Sequence, residues 1–269
     1  MKRIEFIGAS GVGKTTLFNT VLANRTIIDN WITPEEARVK IVKSLSERIL
    51  IDKRSIKIVC IKANIFKKKH ASWATGILQK YENKVFKFCL SDYNCLVDFL
   101  FTGLNNNIQL EPIRKAKFIE FYYKILVRDI GLLDYFNVND TIVYHDGIIH
   151  NNSGIQNYSD YNEKVCKKPK VSNKINPIGV IYCKLSLDDN FNRRKHRIAN
   201  SKNKGTIVER NLNDKELYDL CERSLASTER KANVMKSAGI PVLVIDTSLN
   251  TQENVNQIFR FIRDVQNLK

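Results

Sequence analysis

The chain has 269 residues, of which 43% are hydrophobic and 27% charged. That composition excludes disordered and fibrous classes, and at this length about three quarters of the unfolded surface can be buried without disulfide or metal staples. Lys and Arg number 44 against 28 acids, a net charge of +16, which favours polyanionic partners: phosphorylated ligands, nucleic acid or an anionic membrane surface.

In chain order, residues 3–7 read as a short strand, 8–15 as a glycine-rich turn and 14–24 as a helix. Residues 26–29 offer a second strand. Thr33-Pro34-Glu35-Glu36 is a helix start, with Thr33 as N-cap, Pro34 at the first helical position and Glu36 closing a capping box. From there to about residue 130 the apolar spacing is helical, as at Ile41, Leu45, Ile49 and Ile56 and again at Phe118, Tyr122, Ile125 and Leu126. Within it, residues 40–87 hold 13 basic and 3 acidic residues. Residues 141–145 form a buried-type strand ending at Asp146-Gly147, and the polar stretch 151–177 reads as a loop. A strand at 178–183 follows, then a basic helix over 186–200 opened by Ser186 and Asp189, and a flexible break at 201–206. A long helix over 214–238, a last strand over 241–246 and a last helix over 252–267 complete the chain.

Strands alternating with helices predict a parallel sheet covered on both faces, a three-layer α/β fold. The 35–130 block reads as a helical insertion between the second and third strands of a single domain spanning 1–269. Six cysteines without metal-ligand spacing are expected to be free thiols of a reducing compartment. The apolar run Ile4–Ile7 is too short for a signal peptide and is broken by Glu5, and no stretch approaches 18 apolar residues. The expected location is the cytoplasm.

The strongest motif is Gly8-Ala9-Ser10-Gly11-Val12-Gly13-Lys14-Thr15, followed by Thr16. It fits G-x-x-x-x-G-K-[ST] at every fixed position, between a strand and a helix. Such glycines let successive backbone N–H groups converge on phosphate oxygens, and the helix N-terminus adds its positive dipole end. Lys14 then reaches the β- and γ-phosphates and the Thr15 hydroxyl ligates Mg²⁺. A metal carboxylate is expected at the end of a neighbouring strand. Asp146 fits better than Asp246, which lies on the final strand, where Asp246-Thr247-Ser248 is placed to cup the base of the nucleotide or simply to end the strand. The run Arg193-Arg194-Lys195-His196-Arg197 puts Arg193 and Arg197 on one helix face. Guanidiniums there would stabilise charge on a transferring phosphoryl group. His70, His145, His150 and His196 have no partners at metal-ligand spacing and are expected to be structural or solvent-facing.

This order of parts resembles the P-loop nucleoside and nucleotide kinases of the thymidylate kinase and deoxynucleoside kinase type. The resemblance implies an ATP- and Mg²⁺-dependent kinase. Lys14 and Thr15 would hold phosphate and metal, and Asp146 the metal. Arg193 and Arg197 would serve in a lid over 186–210, the 35–130 block would hold the acceptor, and Ser201–Gly205 would be a hinge. Two departures stand out. Asp146 is followed by Gly147 instead of an arginine, and the Glu-Pro pair that supplies a general base has only Glu35 and Glu36 as counterparts. A GTPase is disfavoured because D-x-x-G and N-K-x-D are absent, and a motor because no acidic pair follows the 141–145 strand. The main alternative is a nucleic-acid-binding P-loop ATPase or polynucleotide kinase. It would use the basic 40–87 block, whose aromatics Phe66, Trp73, Tyr81, Phe86 and Phe88 either stack bases or pack a core.

Overall fold

The computed structural model describes residues 2–26, 28–48, 67–106, 111–152, 155, 157–200, 209 and 211–268. The strands are β1 (Lys2–Ile7), β2 (Trp31–Ile32), β3 (Thr141–Tyr144), β4 (Gly179–Lys184) and β5 (Val242–Asp246). They run parallel in the order β2-β3-β1-β4-β5. Helix α1 (Lys14–Ala23) follows β1. Between β2 and β3 lie α2 (Pro34–Arg48), α3 (Lys67–Leu78), α4 (Glu82–Asp92), α5 (Asn94–Asn105), α6 (Pro112–Tyr123) and α7 (Leu132–Tyr135), with a π-helical stretch over Lys124–Gly131. Short helices α8 (Ile148–Asn151), α9 (Tyr158–Tyr161) and α10 (Pro169–Ile175) precede β4. Then come α11 (Leu187–Asn200), α12 (Asp214–Ser237) and, after β5, α13 (Thr251–Asn267). This is the three-layer α/β arrangement with a helical insertion between the second and third strands.

Packing divides the chain into two compact units, Met1–Lys2 with Asn30–Val143, and Arg3–Asp29 with Tyr144–Lys269. In the second unit, β1 pairs with β4 from Ile4 opposite Gly179 to Ile7 opposite Tyr182, and β4 pairs with β5. Five consecutive residues of β1 and five of β4 are buried, as strands covered on both faces require. Helix α12 starts with a full capping box between Asn213 and Glu216, and α13 starts with Asn250 accepting from two backbone N–H groups. These caps satisfy donors that a helix end would leave without partners.

The first unit is helical and aromatic. Thr33 and Glu36 make the expected reciprocal cap of α2, Thr33 N donating to Glu36 at 2.9 Å and Glu36 N to Thr33 at 3.2 Å. Arg38 binds Asp129 and Glu35, and Arg128 binds Glu82. Tyr81 packs edge-on against Phe136, as Phe88 does against Tyr93 and Tyr135, and Phe86 packs at a tilt against Tyr123. Three of the rings that could have stacked bases, Tyr81, Phe86 and Phe88, thus pack against other aromatics of the same unit. Phe66, and residues 49–66 of the basic block, lie outside the described residues.

Two expectations are corrected. The second strand is Trp31–Ile32, not 26–29, because Asp29 closes a turn there by accepting from the backbone N–H (2.8 Å) and hydroxyl (2.9 Å) of Thr26. The 151–177 stretch is also mostly helical. Asn157 caps α9 by accepting from Asp160 N at 2.8 Å, and Pro169 opens α10. The proposed hinge, 201–205, and the lid residues 201–208 and 210 lie outside the described residues.

Candidate active site

The site lies in the Arg3–Asp29 and Tyr144–Lys269 unit, where β1 ends and α1 begins. Gly11 and Gly13 have φ of +87° and +93°, a region that glycine enters without steric penalty. Their conformation turns the chain so that Gly13 caps α1 and Lys14 starts it. A cavity of about 700 Å³ opens at this turn. Every loop residue from Gly8 to Thr16 lines it except Val12, which is fully buried. Strand, glycine loop and helix together make a P-loop. This is a P-loop fold.

Lys14 is 8% exposed. Its ammonium donates to the His145 carbonyl at 2.7 Å and to the Asp146 carboxylate. Burial lowers its pKa, and Asp146 works against that shift. Asp146 follows β3, the strand next to β1 in the sheet order. Burial alone would raise its carboxyl. The hydrogen bond from His145 and the charge of Lys14 outweigh that and hold it well below the usual carboxylate range.

Two histidines belong to this constellation, contrary to the structural or solvent-facing role expected of them. His145 Nδ1 lies 3.0 Å from Asp146 Oδ2, and its Nε2 lies 2.9 Å from the Thr15 hydroxyl. With Nδ1–H turned to Asp146, Nε2 is left to accept from Thr15. His150 Nε2 lies 3.4 Å from Asp146 Oδ1, and burial pushes its pKa down to about 3, so it is neutral. The available signal was sequence proximity: His145 adjoins Asp146, and His150 follows it by four residues. His196 is exposed on α11.

Across the cavity, α11 brings Arg193 and Arg197 to the lining, as their shared face predicts. Arg193 donates to the carbonyls of Val12 (3.2 Å) and Thr247 (3.3 Å). Arg197 donates to the Ser10 hydroxyl (3.1 Å) and to Glu209 (3.0 Å). Arg194 points away from the cavity, 3% exposed, and binds Glu209 through Nε and Nη2. It packs so closely under Gly11 that a Cβ there would come within 2.6 Å of Arg194 Cγ. Asn190, fully buried, donates to the Ser10 carbonyl at 2.9 Å. Sequence reasoning missed Asn190, Arg194 and Glu209, whose pairing spans up to 180 residues.

Asp246 spends its carboxylate on Ser248, accepting from its backbone N–H (2.9 Å) and hydroxyl (2.6 Å). Thr247 lines the cavity. Glu36 caps α2 and Glu35 binds Arg38. The Thr15 hydroxyl and Asp146 carboxylate are hard oxygen donors touching the same imidazole. Mg²⁺ takes one or two such protein ligands and completes its shell with waters and substrate phosphates, so the donor set fits that ion.

No model of a known protein family matches the chain, and no curated protein matches it. Among solved structures the chain is similar to deoxyadenosine kinase from M. mycoides, once with bound dCTP and once with products dCMP and a flexible dCDP. In both cases the identity is 13%, the TM-score is 0.35, and the match covers 97% of this chain and 99% of that one. No helix among the described residues is long and apolar enough to cross a membrane.

Proposed function

We propose that the chain is an ATP- and Mg²⁺-dependent phosphotransferase acting on a small-molecule acceptor, a nucleoside or nucleotide ahead of a sugar or other alcohol. One observation carries the reading: Lys14, Thr15, Asp146, Arg193 and Arg197 line a single cavity of about 700 Å³ at a glycine loop. That volume is within the range of small-molecule and cofactor sites, roughly 300–1,000 Å³.

Backbone N–H groups of the Gly8–Thr16 turn take the phosphate chain, and Lys14 moves from Asp146 to the β- and γ-oxygens. Thr15 and Asp146 would hold Mg²⁺, which neutralises phosphate charge when bound. For Thr15 to do so its hydroxyl leaves His145, whose hydrogen bond to Asp146 keeps that carboxylate ionised and oriented. Arg197, which touches Ser10, is within the cavity and meets charge on the transferring phosphoryl group. Arg193 braces Val12 and Thr247 on the far flank. In such a reaction the protein aligns the reacting oxygen and phosphorus, balances charge and excludes water.

The test is ADP release from ATP and Mg²⁺ by the full chain, with Lys14→Ala as blank. It is run alone, with pooled nucleosides and nucleotides, with pooled sugars, and with short DNA and RNA. Stimulation by the nucleoside and nucleotide pool, absent in Lys14→Ala, is the expected result. Stimulation by DNA or RNA alone overturns it in favour of a polynucleotide site on the basic 40–87 block. In that case binding falls steeply with salt.

A further inference from the structure

Glu5 stands in the middle of β1, fully buried, between the apolar side chains of Ile4 and Phe6. Its Oε1 accepts from Arg3 Nε at 2.7 Å, and Arg3, 3% exposed, also donates to the carbonyls of Lys174 and Ile175. Its Oε2 accepts from Ile149 N at 2.8 Å. Ile149 is the second residue of α8, whose N-cap is Gly147, a residue with no side chain to cap it. Glu5 therefore performs from β1 the task that an N-cap side chain performs locally. At the other end of α8, the ammonium of Lys231, 8% exposed, donates to the His150 carbonyl at 2.7 Å. A buried anion at the first turn and a buried cation at the last match the dipole of this four-residue helix.

The same arrangement accounts for the glycine that departs from the Asp-Arg pattern. A Cβ at position 147 would fall inside the Glu5 carboxylate. That carboxylate is fixed by Arg3 and by the Ile149 amide, so it cannot swing aside. We infer that Glu5 is a positioning residue for Asp146. From β1 it sets the Gly147–Ile149 backbone, and with it the direction of the Asp146 carboxylate and of His150 beside it. The inference rests on the reading of Asp146 as a metal ligand given under Proposed function.

The test is Mn²⁺ binding, followed by electron paramagnetic resonance, to the full chain loaded with a non-hydrolysable ATP analogue. Binding of the metal-free analogue and a thermal melt are measured in parallel. Outer-shell substitutions commonly cost 10- to 100-fold in metal affinity, and Gly147→Ala is expected to raise the Mn²⁺ dissociation constant about tenfold. Binding of the metal-free analogue should not change. Glu5→Ala should weaken Mn²⁺ in the same way, and Glu5→Gln, which keeps an oxygen for the Ile149 amide, should restore most of the loss. Adding Gly147→Ala to Glu5→Ala should cost less than it does alone, because the Cβ then has room. The inference is overturned if folded Gly147→Ala binds Mn²⁺ like the parent, if both affinities fall together, if Glu5→Gln is no better than Glu5→Ala, or if the two effects simply multiply. If the parent chain binds the analogue without taking up Mn²⁺, the metal role of Asp146 falls first and this inference falls with it.

Discussion

Two sets of cations face the same cavity, and the fold holds them in opposite ways. Lys14 is buried and anchored to a carboxylate and a carbonyl that come from the segment after β3. Arg193 and Arg197 reach in from α11 and are held by neutral groups, two carbonyls and a hydroxyl, with one carboxylate, Glu209, behind Arg197. Of the three α11 arginines, Arg194, which does not face the cavity, matches Lys14 in burial. Lys14 enters the cavity with a carboxylate as its partner. Arg193 and Arg197 enter it against neutral oxygens, with the buried Arg194–Glu209 pair behind them.

The sharpest way to break this contrast is to neutralise each flank. Lys14→Ala should reduce phosphoryl transfer at least about 10³-fold, as loss of a preorganised charge at the transferring group does. Steady-state ADP release against the parent checks it. Asp146→Asn removes the carboxylate while keeping its shape, and should cost about 10²-fold in turnover and raise the Mg²⁺ concentration needed for half-maximal rate. Arg197→Ala should cost only about tenfold, the scale of one exposed charge-assisted contact. If it costs as much as Lys14→Ala, the two flanks are alike and the contrast fails.

The arginine flank should respond in stability instead. Glu209→Gln leaves buried Arg194 without its counter-charge, a loss of about 3 kcal/mol that denaturant titration would measure. Arg197→Ala should barely move the midpoint. The smallest expected effect concerns pH. The folded-state pKa of Asp146 lies below its ordinary value of 3.8, so its stabilisation is complete above that value and is lost as pH falls below it. The difference in melting temperature between parent and Asp146→Asn should therefore be constant from neutral pH down to about 4 and shrink in more acid solution.

Legibility in the sequence follows the same division. The Gly8–Thr16 turn was readable because a phosphate loop is a contiguous motif whose backbone conformation is specified by its own glycines. Asp146 and Asp246 both end apolar strands, and the sequence order favoured the one that lines the cavity, while Asp246 binds Ser248. Arg193 and Arg197 were readable from helical spacing, but the different duty of Arg194 was not, since it depends on its ion pair with Glu209. The strand near residue 30 was displaced by a turn that Asp29 and Thr26 make between themselves. The polar stretch before β4 hid short helices whose start signals, Asn157 and Pro169, are single residues. Gly147 registered as a missing arginine, and only the position of Glu5 gives it a steric reason.

Both tryptophans of the chain, Trp31 and Trp73, belong to the unit that runs from Asn30 to Val143, and the unit holding the phosphate loop has none. Trp31 is 2% exposed, in β2. Indole emission is therefore a built-in optical label for the helical unit alone. A nucleotide titration followed by that emission would report the response of that unit, and a label introduced beside Thr247 or on the nucleotide would report occupancy of the loop.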